Sequence, residues 1–383
     1  MDNTQIYKLS DNIISPLGMT AGDNLAAVLA GQSRLCLHHG LYDLPEDFCG
    51  SVLQREEVDG LFAAECGSGD YTFFERLCIL SAARAIRQGG VDPTRRDVLF
   101  VLSSTKGNVA CLADDPMDER CYIAGSAMRV AQFFGNPNEP IVASNACISG
   151  VCAQIAAVRQ LLAGRYRTAV VTGCDTLSRF IISGFQSFKA LSTSPCRPYD
   201  RDRTGLNLGE AAGTIILRTG GEADVDAGLW QFRACSIHND ANHISGPSRT
   251  GEGSYRVLRD ILDRVPAGQL ACVCTHGTAT AYNDEMESIA LHRAGLDTVP
   301  VCGLKGYYGH TLGAAGIVET IISMAALEQG VIPATRGYRA QGTTYALNLS
   351  DAVRRTDRLG FIKILSGFGG SNAGIAYVKG GRA

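Results

Sequence analysis

The sequence has no apolar run of membrane-spanning length, and its first residues, MDNTQIYKLSDNIISPLG, lack the basic-then-apolar pattern of a secretory leader. The expectation is a soluble cytoplasmic protein that engages no membrane. Charge of one sign is also missing: 35 lysines and arginines against 38 aspartates and glutamates leave a formal net charge of −3. So even a balance gives no electrostatic case for binding nucleic acid or an anionic lipid surface. The fourteen cysteines include no CxxC pair and a single CxC, Cys272 and Cys274, which argues against a disulfide framework or a structural zinc site. Most of them read as small apolar core residues. The sequon Asn348-Leu349-Ser350 carries no weight without an export signal. Low-complexity stretches, charge runs and long linkers are absent. GLNLGEAAG and SGFGGSNAG match neither a phosphate-binding loop nor a dinucleotide fingerprint.

What remains is 383 residues, 45% of them hydrophobic, enough to build a core that excludes water from an active site. Short apolar segments alternate with helical patterns, the signature of α/β architecture. Strands are expected at Val98–Ser103, Thr168–Gly173, Ala212–Leu217, Leu270–Thr275 and Phe361–Leu365. Helices are expected at Phe73–Gln88, around Tyr255–Arg264, and at Gly150–Ala163 and Ala314–Gln329, the last two stopped by Gly164 and Gly330. The order of elements repeats. A helix, a strand and the loop Thr105-Lys106-Gly107 precede NACISG and a small-residue helix. A second helix, strand and loop, His276-Gly277-Thr278, precede GHTLGAAG and another small-residue helix. The plan implies two duplicated halves, residues 1–225 and 226–383.

Three side chains stand out as chemistry. Cys147 precedes ISGVCAQIAAVRQLLAG, a buried-helix pattern, and a thiol at a helix N-terminus meets a field that favours thiolate, the nucleophilic form. Any one of fourteen cysteines is more often a core residue than a nucleophile, so a partner base is required. Two of the seven histidines qualify: His276, on the loop after strand ACVCT, and His310, which opens GHTLGAAG and mirrors Cys147 in the repeat. Lys305 lies in LKGYYGH, just ahead of His310. The glycine-dense turn SGFGGSNAG can aim backbone N–H groups at a developing oxyanion.

Taken together, IISPLGMTAGDNLAAVLAGQS, NACISG, CRPYDRDRTGLNLGEAAG, THGTATAYNDEME, LKGYYGHTLGAAG and SGFGGSNAG, in that order along the chain, resemble the β-ketoacyl synthase family, in its branch with one cysteine and two histidines. The resemblance implies the thiolase-like fold: two βαβαβαβ halves in five-layer α-β-α-β-α packing, as a homodimer or as a heterodimer with a related chain. It implies Cys147 as acyl-accepting nucleophile, and His276 and His310 as the pair that promotes decarboxylation of malonyl thioester and steadies the enolate. Lys305 would support the field around His310, and the amides of Cys147 and Phe368 would form an oxyanion hole. Phe368 would also be a gate, and Gly369 beside it would bind substrate. Thr278 and Thr280 would lie along the pantetheine arm, Ile148 at the acyl pocket, and Glu319 would be structural support. The partner would be an acyl carrier protein, with acyl and malonyl thioesters carried on its phosphopantetheine and no metal or redox cofactor required.

Ile148 is bulkier than the residue usual after this nucleophile, and GLNLGEAAG and SGFGGSNAG depart from the commoner motifs. With the short chain, these departures point to a specialised polyene- or polyketide-type pathway over housekeeping fatty-acid elongation. A degradative thiolase would need a cysteine where Ser366 stands, and an initiating ketosynthase an asparagine in place of His310. A hydrolase would leave the second histidine and Lys305 unused. The reading from another class is a non-catalytic partner of the chain-length-factor kind; such partners typically lack the nucleophile.

Overall fold

The computed structural model describes residues 4–113, 118–221, 224, 227–240, 242–243 and 246–380, so the expected boundary at 225/226 lies outside the described residues. The first half holds strands β1 (Gln5–Ile14), β2 (Val98–Ser103), β3 (Ile141–Ala143), β4 (Thr168–Asp175) and β5 (Ala211–Gly220), with helices α1 (Phe73–Gly89), α2 (Ile123–Phe133) and α3 (Ser149–Leu162). The second half holds β6 (Trp230–Asn239), β7 (Cys272–Cys274), β8 (Val301–Cys302), β9 (Gly360–Gly367) and β10 (Ser371–Lys379), with α4 (Glu252–Leu262), α5 (Ala281–Arg293) and α6 (Ala315–Glu328).

Strand order is 3-2-4-5-1 in one half and 8-7-9-10-6 in the other, with parallel and antiparallel neighbours in the same places. Each half is therefore the expected βαβαβαβ unit with one further antiparallel strand appended. The two sheets join edge to edge into one ten-stranded array, β1 beside β6, through a ladder of one residue pair, Tyr7 and Gln231. With α3 and α6 between the sheets and the other helices outside, the layers run α-β-α-β-α.

Local chemistry explains these elements. The run VLFVLS of β2 is buried at every position, as a parallel strand covered on both faces must be. Helix α1 starts with a capping box, in which the Thr72 hydroxyl accepts from the Glu75 amide and the Glu75 carboxylate from the Thr72 amide. Helix α6 is buried almost all round, because both sheets and α3 press on it. It crosses α3 backbone to backbone: a Cβ on Gly150 would lie 3.0 Å from the Gly316 Cα, and one on Gly316 only 2.5 Å from the Val151 nitrogen. The strand expected at Leu270–Thr275 is shorter, Cys272–Cys274, since Thr275 already turns toward the loop that carries His276.

Candidate active site

The loops that follow β3, β7 and β8 converge. One donor atom each from Cys147, His276 and His310 lie within 4.8 Å of one another, and the two imidazoles meet edge to face at 4.9 Å between centroids. All three are buried, at 8%, 4% and 1% exposure. Among the described residues this is also the one grouping of histidine, cysteine and acidic side chains compact enough to admit a metal ion.

Cys147 sits on a tight turn. Ala146 adopts a left-handed φ of 44°, a conformation that costs on the order of 1 kcal/mol or more outside glycine. Ser149 holds it there: its hydroxyl donates to the Ala146 carbonyl at 2.6 Å and accepts from the Asn145 amide at 2.8 Å. The expected thiolate-favouring field of α3 is outweighed. Burial pushes the Cys147 thiol up to about 11, with Lys305 and Lys106 pulling the other way and Asp175 adding to the rise. The resting sulfur is a protonated thiol, and its activation requires a proton acceptor.

Both histidines are held neutral. Burial, followed by the charge of Lys305, pushes each well below its ordinary value; Lys363 adds to both, and His310 to His276. The Leu312 amide donates to His310 Nδ1 at 3.3 Å, which assigns the proton of the neutral ring to Nε2, a buried atom without a partner. Nδ1 of His276 is likewise unpartnered. His310 is gripped through its backbone by the GLNLGEAAG segment. Its amide donates to Asn207 O at 2.7 Å, and the Gly209 amide donates to its carbonyl at 3.0 Å. A Cβ at Gly209 would lie 1.9 Å from the Tyr308 carbonyl oxygen, so that position must be bare.

Three supporting carboxylates escaped the sequence reading. Glu287 accepts from the amides of His276 and Gly277, each at 2.7 Å, and from the Tyr199 hydroxyl at 2.8 Å. Asp284 accepts from the amides of Thr278 and Tyr199, and burial pushes its carboxyl up to about 7. Asp175, at the end of β4, gathers the Ser104 hydroxyl at 2.6 Å and the Gly313 amide at 2.7 Å, joining the loop after β2 to the segment after His310. The first two lie in THGTATAYNDEME, where acidic residues in the first turns of a helix were a readable signal.

The remaining expected positions fall as follows. Lys305 is buried and donates to Glu319 Oε1 at 2.8 Å; Glu319 is fully buried on α6. Lys363, on β9, is a second buried lysine on the same carboxylate. Thr278 and Thr280 share a hydrogen bond at 2.9 Å, and Thr280 also caps α5. Ile148 is wholly buried in the central core. A Cβ on Gly367 would lie 3.3 Å from the Cys147 amide nitrogen, so the glycine turn lies directly against Cys147. Phe368 next to it packs on Phe185 and Phe188, and Gly369 is left-handed at φ 86°.

Comparisons with known proteins bear on the family and the fold. The family description "Beta-ketoacyl synthase, N-terminal domain" matches residues 70–223, and its C-terminal counterpart matches 231–339. The chain is 30% identical over 329 residues to nodulation protein E of Rhizobium leguminosarum bv. trifolii, covering 79% of this chain and 82% of that protein. It is 26% identical over 417 residues to 3-oxoacyl-[acyl-carrier-protein] synthase 2 of Vibrio cholerae, covering 99% and 100%. The solved ishigamide ketosynthase/chain length factor superposes with a TM-score of 0.87 at 23% identity, over 99% of this chain and 100% of that one. That likeness shows the thiolase-like fold.

Proposed function

Because this chain belongs to the β-ketoacyl synthase family, we propose that it is an active condensing enzyme, joining an acyl thioester to a malonyl thioester with loss of carbon dioxide. The observation that carries the reading is the convergence of Cys147, His276 and His310 within 4.8 Å.

In the first half-reaction the Cys147 thiol gives its proton to a neutral imidazole as sulfur attacks the acyl carbonyl. The amides of Cys147 and Phe368 receive the oxyanion. The acyl–sulfur bond of the incoming thioester breaks, and its thiol leaves with the proton. In the second, malonyl thioester loses carbon dioxide; the electron pair of the broken carbon–carbon bond becomes an enolate, and its oxygen accepts from the imidazole N–H groups. Both rings are buried and uncharged, so they donate without first losing a solvation shell. The enolate carbon attacks the acyl group on Cys147, and collapse of the tetrahedral adduct breaks the carbon–sulfur bond and releases the cysteine thiolate, which takes up one proton from solvent to restore the thiol. No step calls for a metal or redox group.

The substrates of this reading are thioesters on the phosphopantetheine of an acyl carrier protein, with Thr278 and Thr280 beside the arm, Ile148 shaping the acyl pocket, Gly369 against the substrate, and Phe368 as the moving gate. A specialised polyene- or polyketide-type product fits the altered motifs better than housekeeping fatty acids. The working unit is a pair of such chains, either two copies or this chain with a related one. The alternative, a non-catalytic chain-length-factor-like partner, would have no use for a complete and converged triad.

The test is intact-mass measurement after exposure to a panel of acyl carrier thioesters. The chain should gain one acyl group, the Cys147→Ala variant none, and the panel should reveal the preferred chain length. A wild-type chain that stays unmodified by every thioester in the panel sinks the proposal.

A further inference from the structure

The reaction proposed above uses two imidazoles, and nothing in it calls for a second buried lysine. Lys363 is nevertheless completely buried in the middle of β9, opposite Cys274 of β7. A buried ammonium persists only where it is paired and hydrogen-bonded. Its Nζ donates to Glu319 Oε2, where Lys305 already holds Oε1, and to the carbonyl oxygen of Thr275 at 2.8 Å.

That last contact is the informative one. The Thr275 carbonyl and the His276 amide are two sides of one peptide group. Lys363 takes the carbonyl, and Glu287 takes the amide at 2.7 Å. A cation and an anion therefore grip the peptide that carries His276 from opposite sides, each with a charge-assisted hydrogen bond. Rotation of that peptide would break both, so the direction of the imidazole is set from below. Glu319 extends the same contact to Lys305, five residues before His310.

We propose that Lys363 is a positioning residue for the condensation: it fixes the Thr275–His276 peptide, and with Lys305 and Glu319 it forms an ionic floor that joins the segments bearing His276, His310 and the Phe368 turn. The proposal rests on the ketosynthase reading and adds a residue to it.

Charge follows from the geometry. Two ammoniums and one carboxylate leave a net positive floor beneath the imidazoles. The charged or titratable groups around the pair include Cys147 from the α3 turn, Lys305 before His310, Glu319 on α6, Lys363 on β9, Cys274 on β7, Glu287 and Asp284 on α5 with Tyr199 against them, and Asp175 on β4. For Lys363 itself burial works against the charge, but Cys274 and Glu319 outweigh it and its pKa is raised. Its charge in turn helps to keep both histidines neutral.

Two variants of the 383-residue chain separate position from charge. Lys363→Met removes the grip and one positive charge, leaving Glu319 and Lys305 to cancel. The double variant Lys363→Met with Glu319→Gln removes the grip but leaves Lys305 as the net positive charge, as in the wild type. Decarboxylation of malonyl-loaded carrier protein is followed against pH, acyl loading of Cys147 by intact mass, and the imidazole titrations by NMR. The expected result is a kcat for decarboxylation reduced about 10-fold or more in both variants, with acyl loading changed far less. The acid limb and the imidazole pKa values should move to higher pH in Lys363→Met and return toward wild type in the double variant.

Decarboxylation and pH profile unchanged in folded Lys363→Met overturns the proposal, as does full recovery of rate in the double variant. Loss of cooperative melting in both variants assigns Lys363 to stability alone and overturns it too. A wild-type chain that neither loads nor decarboxylates refutes the ketosynthase reading instead, and the NMR titrations still test the floor.

Discussion

A buried thiol and two buried imidazoles make a site whose resting state is uncharged. In the proposed reaction neutral rings are the active form, and both lie below the ordinary histidine value near 6.5 because burial and the lysines oppose protonation. The sign is then fixed: activity is lost as pH falls through those depressed values, so the acid limb of kcat for decarboxylation should lie below pH 6.5. A limb centred above 6.5 would contradict the neutral pair. The carboxylates behind the rings are equally exposed to test. Glu287→Ala strands two buried amides and the Tyr199 hydroxyl; a stranded buried donor costs about 1–3 kcal/mol. We expect kcat to fall about 10-fold or more with KM changed less, and Glu287→Gln, which keeps a carbonyl acceptor, to recover part of the loss.

At the scale of elements, the sequence was most readable where burial is complete. Val98–Ser103 is found as read, and the helices begin and end within a residue or two of Phe73–Gln88, Gly150–Ala163 and Ala314–Gln329. Strands β3 and β8 are three and two residues long, too short for a period to show. Strand β1 reads QIYKLSDNII and β6 reads WQFRACSIHN, and polar residues mask the alternation in both. Cys147, His276 and His310 stood in motifs that could be recognised. Lys363 did not, because a lysine in FIKIL looks like an edge or surface residue until its partners, 44 and 88 residues away, are seen. The thiol's protonation state was also hidden, since the helix field is local while burial is a property of the whole fold. The bare crossing of α3 and α6 supplies the prediction at this scale. Gly316→Ala adds a methyl where only 2.5 Å is free, and overpacking of this kind costs about 1–3 kcal/mol. Chemical denaturation should show that loss, together with slower acyl loading, as Cys147 is pushed from His310.

Across the whole molecule, one apolar core runs through both halves: Ile6, Val101 and Ile215 belong to the same cluster as Cys274, Phe361 and Ile375. The two halves share that core although their sheets meet at a single residue pair. Thermal unfolding followed by calorimetry should accordingly be a single cooperative transition. Two resolved transitions would show that the halves hold their structure separately.

The repeated topology gives the chain four equivalent corners around one centre: the ends of β2 and β7, and the ends of β3 and β8. Three of them present sulfur or imidazole. The fourth, Ser104 to Gly107, is occupied in binding the Asp175 carboxylate, yet its Lys106 still bears on the nucleophile's acidity. Duplication thus left this chain one corner that carries neither sulfur nor imidazole, from which a changed side chain could retune the Cys147 thiol while Cys147, His276 and His310 stay in place.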